Sequence, residues 1–131
     1  MAKATLVVTF PLEAGKQVVD LLEENGIPVS AAFWYYKAAY DEWKLYISSK
    51  LTSSLGTLRL YDRVYKILDE AKSPPDMDRS DIVIVSSKAS IMDSMRWTAK
   101  VLRGEPGRLV RGIARNEDDP PIDEAYVYRL T

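Results

Sequence analysis

The chain predicts an α+β fold: a ferredoxin-like βαββαβ two-layer sandwich carrying a C-terminal helix and β-hairpin as an extension. Three observations carry that expectation. Hydrophobic periodicity gives the element order β-α-β-β-α-β-α-β-β, whose first six members match the ferredoxin-like unit. The short polar connection "KAAYDE" between the second and third strands favours antiparallel neighbours. At 131 residues, 47% of them hydrophobic, the chain suits one domain with its own core, residues 1–131. A doubly wound α/β sheet is the alternative order of the same elements.

The first element, "ATLVVTF" (4–10), is β-branched and almost continuously apolar, the pattern of a strand buried on both faces. Pro11 ends it. In "LEAGKQVVDLLEEN" the residues Ala14, Val18, Leu21 and Leu22 form one helical stripe, with Lys16, Asp20, Glu23 and Glu24 outside it. Asn25-Gly26 supplies a left-handed cap, Ile27 folds back onto Leu21 or Leu22, and Pro28 forbids continuation.

Two strands follow at about 29–36 and 42–48, inside a stretch that holds seven of the chain's thirteen aromatic residues. The later strand alternates, with Trp43, Leu45 and Ile47 on one face and Glu42, Lys44, Tyr46 and Ser48 on the other. The earlier strand is apolar on both faces: Val29, Ala31, Phe33 and Tyr35 oppose Ala32, Trp34 and Tyr36. A long helix is expected over 53–71, burying Leu60, Val64, Ile67, Leu68 and Ala71, and "SPPD" stops it. "DIVIVS" (81–86) reads as a buried strand. "SIMDSMRWTAKVLRG" (90–104) reads as a helix with Ile91, Met95, Thr98 and Leu102 inward, and "RLVRGIAR" and "AYVYRL" as two closing strands.

Composition excludes whole classes of chemistry. With no His and no Cys, thiolate nucleophiles, Ser-His triads and the common zinc sites are ruled out. No phosphate-loop signature is present, and "DMDRSD" (76–81) lacks the glycine and the distal glutamate of a calcium loop. No catalytic residue, metal ligand or cofactor is therefore assigned, and enzymatic activity is not the expectation. Asp62 pairs naturally with Lys66 one turn on, which implies no catalysis. The absence of cysteine and of a leader-like N-terminus points to a soluble cytoplasmic protein, and no apolar run reaches membrane length.

Nucleic acid is not an expected partner. The aromatic strand lacks the basic, glycine-rich signature of RNA-binding sheets, and the net charge is −1. Residues 88–115 are basic and 116–124 acidic, an asymmetry that mutual neutralisation explains. "GEPG" (104–107) shares only letters with a nucleic-acid clamp.

Two site expectations remain. The first concerns the rings: each buried aromatic removes about 150–250 Å² from water, so Trp34, Tyr36 and Tyr46 exposed together would form an unusually large apolar patch. Either the chain covers them itself or a second copy does. The leading expectation is a homo-oligomer that uses these three residues as interface, making the protein an assembly module.

The second concerns a recurrence: "ISSKLTSS" (47–54) and "VSSKASIM" (85–92) both place Ser-Ser-Lys between a strand and a helix. Helix capping alone accounts for the serines. A lysine beside a helix N-terminus opposes the macrodipole unless an anion lies between them. In the ferredoxin-like order the two preceding strands run the same way with one strand between them, so both junctions open on one sheet edge. The alternative expectation is an anion-binding domain, with an enzymatic role left open, taking phosphate, nucleotide or carboxylate through Ser49, Lys50, Ser53, Ser87, Lys88 and Ser90.

Overall fold

The computed structural model describes residues 10–37, 40–102, 108–113 and 123–130. The expected first strand up to residue 9, the 104–107 segment and most of the acidic connection lie outside them. The elements are α1 (Leu12–Glu24), β1 (Ala31–Lys37), β2 (Glu42–Ser48), α2 (Leu51–Leu55), α3 (Thr57–Glu70), β3 (Ile82–Ile84), α4 (Ser90–Leu102), β4 (Arg108–Ile113) and β5 (Asp123–Leu130).

The protein is a mixed α+β fold built on a five-stranded sheet of order β3-β2-β1-β5-β4. All neighbours are antiparallel except β2 and β3, which run parallel. This order differs from the ferredoxin-like one, in which the strands before and after the second helix are separated by the first strand. Here they bond directly, Leu45 opposite Ile82 and Ile47 opposite Ile84. The doubly wound alternative also departs from a sheet that is mostly antiparallel. The C-terminal hairpin is not an appendage, because β5 pairs along the length of β1 and makes it central.

Each face of the sheet has its own cover. Ala32, Trp34, Leu45, Ile47, Ile82 and Ile84 face α1 and α3, which contribute Val18, Leu22, Leu60, Val64 and Leu68. Ala31, Phe33, Tyr35, Tyr46, Ala125 and Val127 face α4, which contributes Met92 and Met95. Burial of this size stabilises by roughly 1.5–3 kcal/mol per large apolar side chain. It explains why β1 shows no polar alternation.

Local chemistry fixes the joints. α1 ends in a Schellman motif: the Ile27 N–H donates to the Leu22 carbonyl at 2.8 Å and the Gly26 N–H to Glu23, with Gly26 at φ 85°. The helix expected over 53–71 is two helices. It starts earlier, at Leu51, and breaks at Gly56, whose φ of 86° and ψ of 153° suit glycine alone. A register shift between Ala32 and Phe33 leaves Tyr128 of β5 without an opposite residue in β1. The irregularity aims its hydroxyl at α1, where it accepts from Trp34 Nε1 and donates to the Leu12 carbonyl.

Candidate functional site

The rings expected at an interface are divided and covered within the chain. Register places Tyr46 opposite Phe33 and Trp34 opposite Leu45, so Tyr46 and Trp34 point to opposite faces. Trp34 is 0% exposed beneath α1, and Tyr46, at 7%, stacks on Phe33 against α4. Tyr36 is half-buried, tilted against Trp43, with its hydroxyl donated to Asp41 at 2.7 Å. The shared patch that motivated Trp34, Tyr36 and Tyr46 as an interface is therefore absent; alternation alone could not reveal it, because register decides which rings are neighbours.

The two Ser-Ser-Lys junctions leave the sheet at one edge. β2 and β3 are adjacent, with no strand between them, and remain parallel to their ends, where the Val85 N–H donates to the Ile47 carbonyl at 2.9 Å. Beyond that bond the paths part. The chain after β2 enters α2 and α3 on one face of the sheet, while the chain after β3 enters α4 on the other. In open sheets with parallel strands, ligands usually bind outside the carboxyl ends of neighbouring strands whose connections depart to opposite faces.

Ser49 is 3% exposed and its Oγ accepts the Leu51 N–H at 3.1 Å, a tight turn that carries the chain into α2. Lys50 is exposed. Ser53 is exposed too, but its hydroxyl donates to the Lys50 carbonyl at 3.1 Å, so it braces its own backbone. On the other side, the Ser86 Oγ accepts the Lys88 N–H at 3.1 Å, while Ser87, Lys88 and Ser90 are exposed. Ser90 opens α4, thirteen residues long, whereas α2 has only five and gives little dipole.

Three further residues at this edge were not among the expected ligands. Arg96 reaches back from α4 to donate to the Ser87 carbonyl at 2.9 Å and lies 3.6 Å from Asp93, adding a third cation against one acid. Ser48 and Thr52, at 1% and 8% exposure, carry hydroxyls with no hydrogen-bond partner among the described residues. Leaving a buried hydroxyl unpaired costs about 1–3 kcal/mol, so the pair is unusual. The i+3 spacing of Arg96 from Asp93 was legible; the burial of Ser48 was not, since it depends on α4 covering that face.

The opposite edge of the same strands is acidic. Asp41, Glu42, Trp43, Lys44 and Asp81 line an open cleft of about 490 Å³. There Lys44 pairs with Asp81 at 3.2 Å, and that hydrogen bond holds the lysine above its ordinary pKa. Among the described residues no group of acids is arranged to hold a metal ion, and no helix is long and apolar enough to cross a membrane. Compared with protein-family models, with curated proteins and with solved structures, the chain finds no match.

Proposed function

We propose that the protein is a small-anion-binding domain whose ligand lies outside the carboxyl ends of β2 and β3. The observation that supports this most is the divergence of two adjacent parallel strands into helices on opposite faces, each through a Ser-Ser-Lys junction. Lys50 and Lys88 supply charge at the rim, Arg96 adds to it, and the first turn of α4 directs backbone N–H groups outward. Ser49 and Ser53 shape the loop.

Self-association through the aromatic hairpin is the competing reading, and it would need Trp34 and Tyr46 at the surface rather than in the two cores. One thermal-denaturation series separates them. Phosphate, nucleoside monophosphate and small dicarboxylates are titrated against chloride of matched ionic strength, at two protein concentrations. Anion binding raises Tm, by mass action equivalent to about 2.7 kcal/mol when ligand reaches a hundred times its Kd, and Lys50→Ala and Lys88→Ala reduce that rise. A Tm that depends on protein concentration and ignores every anion rejects the domain function in favour of assembly.

A further inference from the structure

Away from the Ser-Ser-Lys edge, β2 runs on past the start of β3, and the cleft of about 490 Å³ opens there. Register fixes what its edge offers. The Val85 N–H donates to the Ile47 carbonyl, so Ile47 turns its backbone groups toward β3, and alternation sends those of Leu45 and Trp43 the same way. Leu45, opposite Ile82, makes the last pairing toward this end. The Asp81 N–H, next in line for the Trp43 carbonyl, donates instead to the Asp78 carbonyl at 3.0 Å, closing the short 3-10 turn Arg79–Asp81. The Trp43 carbonyl is thus left at the open edge as an acceptor with no partner among the described residues.

The wall beside that carbonyl is aromatic and held in place. The part-buried Trp43 indole packs against Phe10, 4.5 Å away between ring centroids, and against Tyr36 at 5.2 Å. Tyr36 also donates its hydroxyl to Asp41 at 2.7 Å, which positions that carboxylate at the rim. Charge along the lining is unbalanced. Lys44 pairs with Asp81 at 3.2 Å, whereas Asp41 and Glu42 have no cation paired with them among the described residues, so three acids face one base. Lys44 shows how this environment treats an ammonium: the hydrogen bond to Asp81, outweighing desolvation and joined by the charges of Asp81, Glu42 and Asp78, holds it above its ordinary pKa. The acids are not arranged for a metal ion among the described residues.

We infer that this cleft binds a primary alkylammonium group, whose N–H donors go to the Trp43 carbonyl and the Asp41 and Glu42 carboxylates while the Trp43 indole packs against the cation. The chemistry of the two sides matches. An ammonium carries three donors and no acceptor, and the cleft offers a free carbonyl, surplus carboxylates and an aromatic face that attracts positive charge. A quaternary ammonium has the charge without the donors and leaves the carbonyl unpaired. The cleft also falls within the roughly 300–1,000 Å³ usual for small-molecule sites. This inference stands apart from the anion-binding reading, since it involves neither Ser-Ser-Lys junction.

The test titrates the full chain by calorimetry with the hydrochlorides of ethanolamine and putrescine and with choline chloride, against sodium chloride of matched ionic strength. Both primary amines bind saturably, and choline, which differs from ethanolamine by three methyl groups on nitrogen, binds about tenfold more weakly or not at all. Glu42→Gln and Asp41→Asn each weaken amine binding by about tenfold. Both variants are expected to fold: Glu42 is exposed, and Asn suits the φ of 50° at Asp41 while still accepting from Tyr36. Lys44→Gln removes the competing ammonium and tightens amine binding, a gain that a purely structural role for these residues does not produce. Choline binding as tightly as ethanolamine overturns the inference, as do unchanged affinities in Glu42→Gln and Asp41→Asn, weaker binding in Lys44→Gln, or a parent response that sodium chloride reproduces. None of these results bears on the anion site, which the phosphate and dicarboxylate titrations test separately.

Discussion

Trp34 Nε1 donates to the Tyr128 hydroxyl at 3.0 Å, joining the central strand β1 to β5 and, through the Leu12 carbonyl, to α1. One hydroxyl thus satisfies a buried donor and adds a second bond to a carbonyl of the first turn of α1. Tyr128→Phe leaves the Trp34 N–H unpaired and is expected to destabilise by about 1–3 kcal/mol, read from urea denaturation.

Gly15 faces that hydroxyl from α1. A methyl group there would collide with the Tyr128 hydroxyl and Trp34 Nε1. Gly15→Ala gains up to about 1 kcal/mol of helix propensity but loses about 1–3 kcal/mol to overpacking, so net destabilisation is expected. In the Tyr128→Phe background the loss shrinks, a coupling that a double-mutant cycle measures.

Gly56 is the reverse case, with no atom near a would-be methyl. Its cost is purely conformational, since φ 86° with ψ 153° is a glycine region. Gly56→Ala is expected to destabilise by about 1–3 kcal/mol in chemical denaturation, although it removes no contact.

The helix stripes, the Schellman end of α1 and the alternation of β2 were legible because each depends on residues within a few positions of one another. The break at Gly56 was missed: glycine is tolerated inside helical patterns, and only its φ and ψ make it a joint. Sheet order was illegible for a different reason. β1 pairs Trp34 with Tyr126, and no local pattern encodes which distant strand fills that flank. For the candidate site, Lys50 and Lys88 were visible in the recurrence, but the unpaired state of Ser48 and Thr52 needed coordinates.

The edge strand β3 is shielded by a side chain: the Ile84 N–H donates to the Tyr61 hydroxyl at 2.9 Å. Tyr61→Phe frees that amide. Hydrogen exchange at Ile84 should accelerate while exchange in β1 is little changed, and stability should fall by about 1 kcal/mol. Unaltered exchange at Ile84 would show that the hydroxyl contributes no protection.

Two groups set opposite pH limits. Arg129, hydrogen-bonded to Glu23, holds that carboxyl below its ordinary pKa, so the stability it adds is present above the unfolded value and lost as pH falls through the folded one. Both partners are more than a third exposed, and the pair is worth only about 0–1 kcal/mol. Glu23→Gln should flatten the stability curve below about pH 4. Burial pushes Tyr128 up to about 12, so its contribution is complete below the unfolded value near 10 and disappears as pH rises through the folded one. Spectroscopic titration should show a late tyrosine that Tyr128→Phe removes.

The central position of β1 bears on biosynthesis. A nascent chain emerging as far as β2 can close the β1/β2 hairpin, yet the other flank of β1 waits for β5, which begins only at Asp123. Until β5 has emerged, that flank presents unpaired amides beside Phe33, Trp34 and Tyr35, a template for pairing with another unfinished copy. Ribosome-stalled chains lacking β5 should therefore be the aggregation-prone species, and trigger-type chaperone holding should matter more for them than for the released protein.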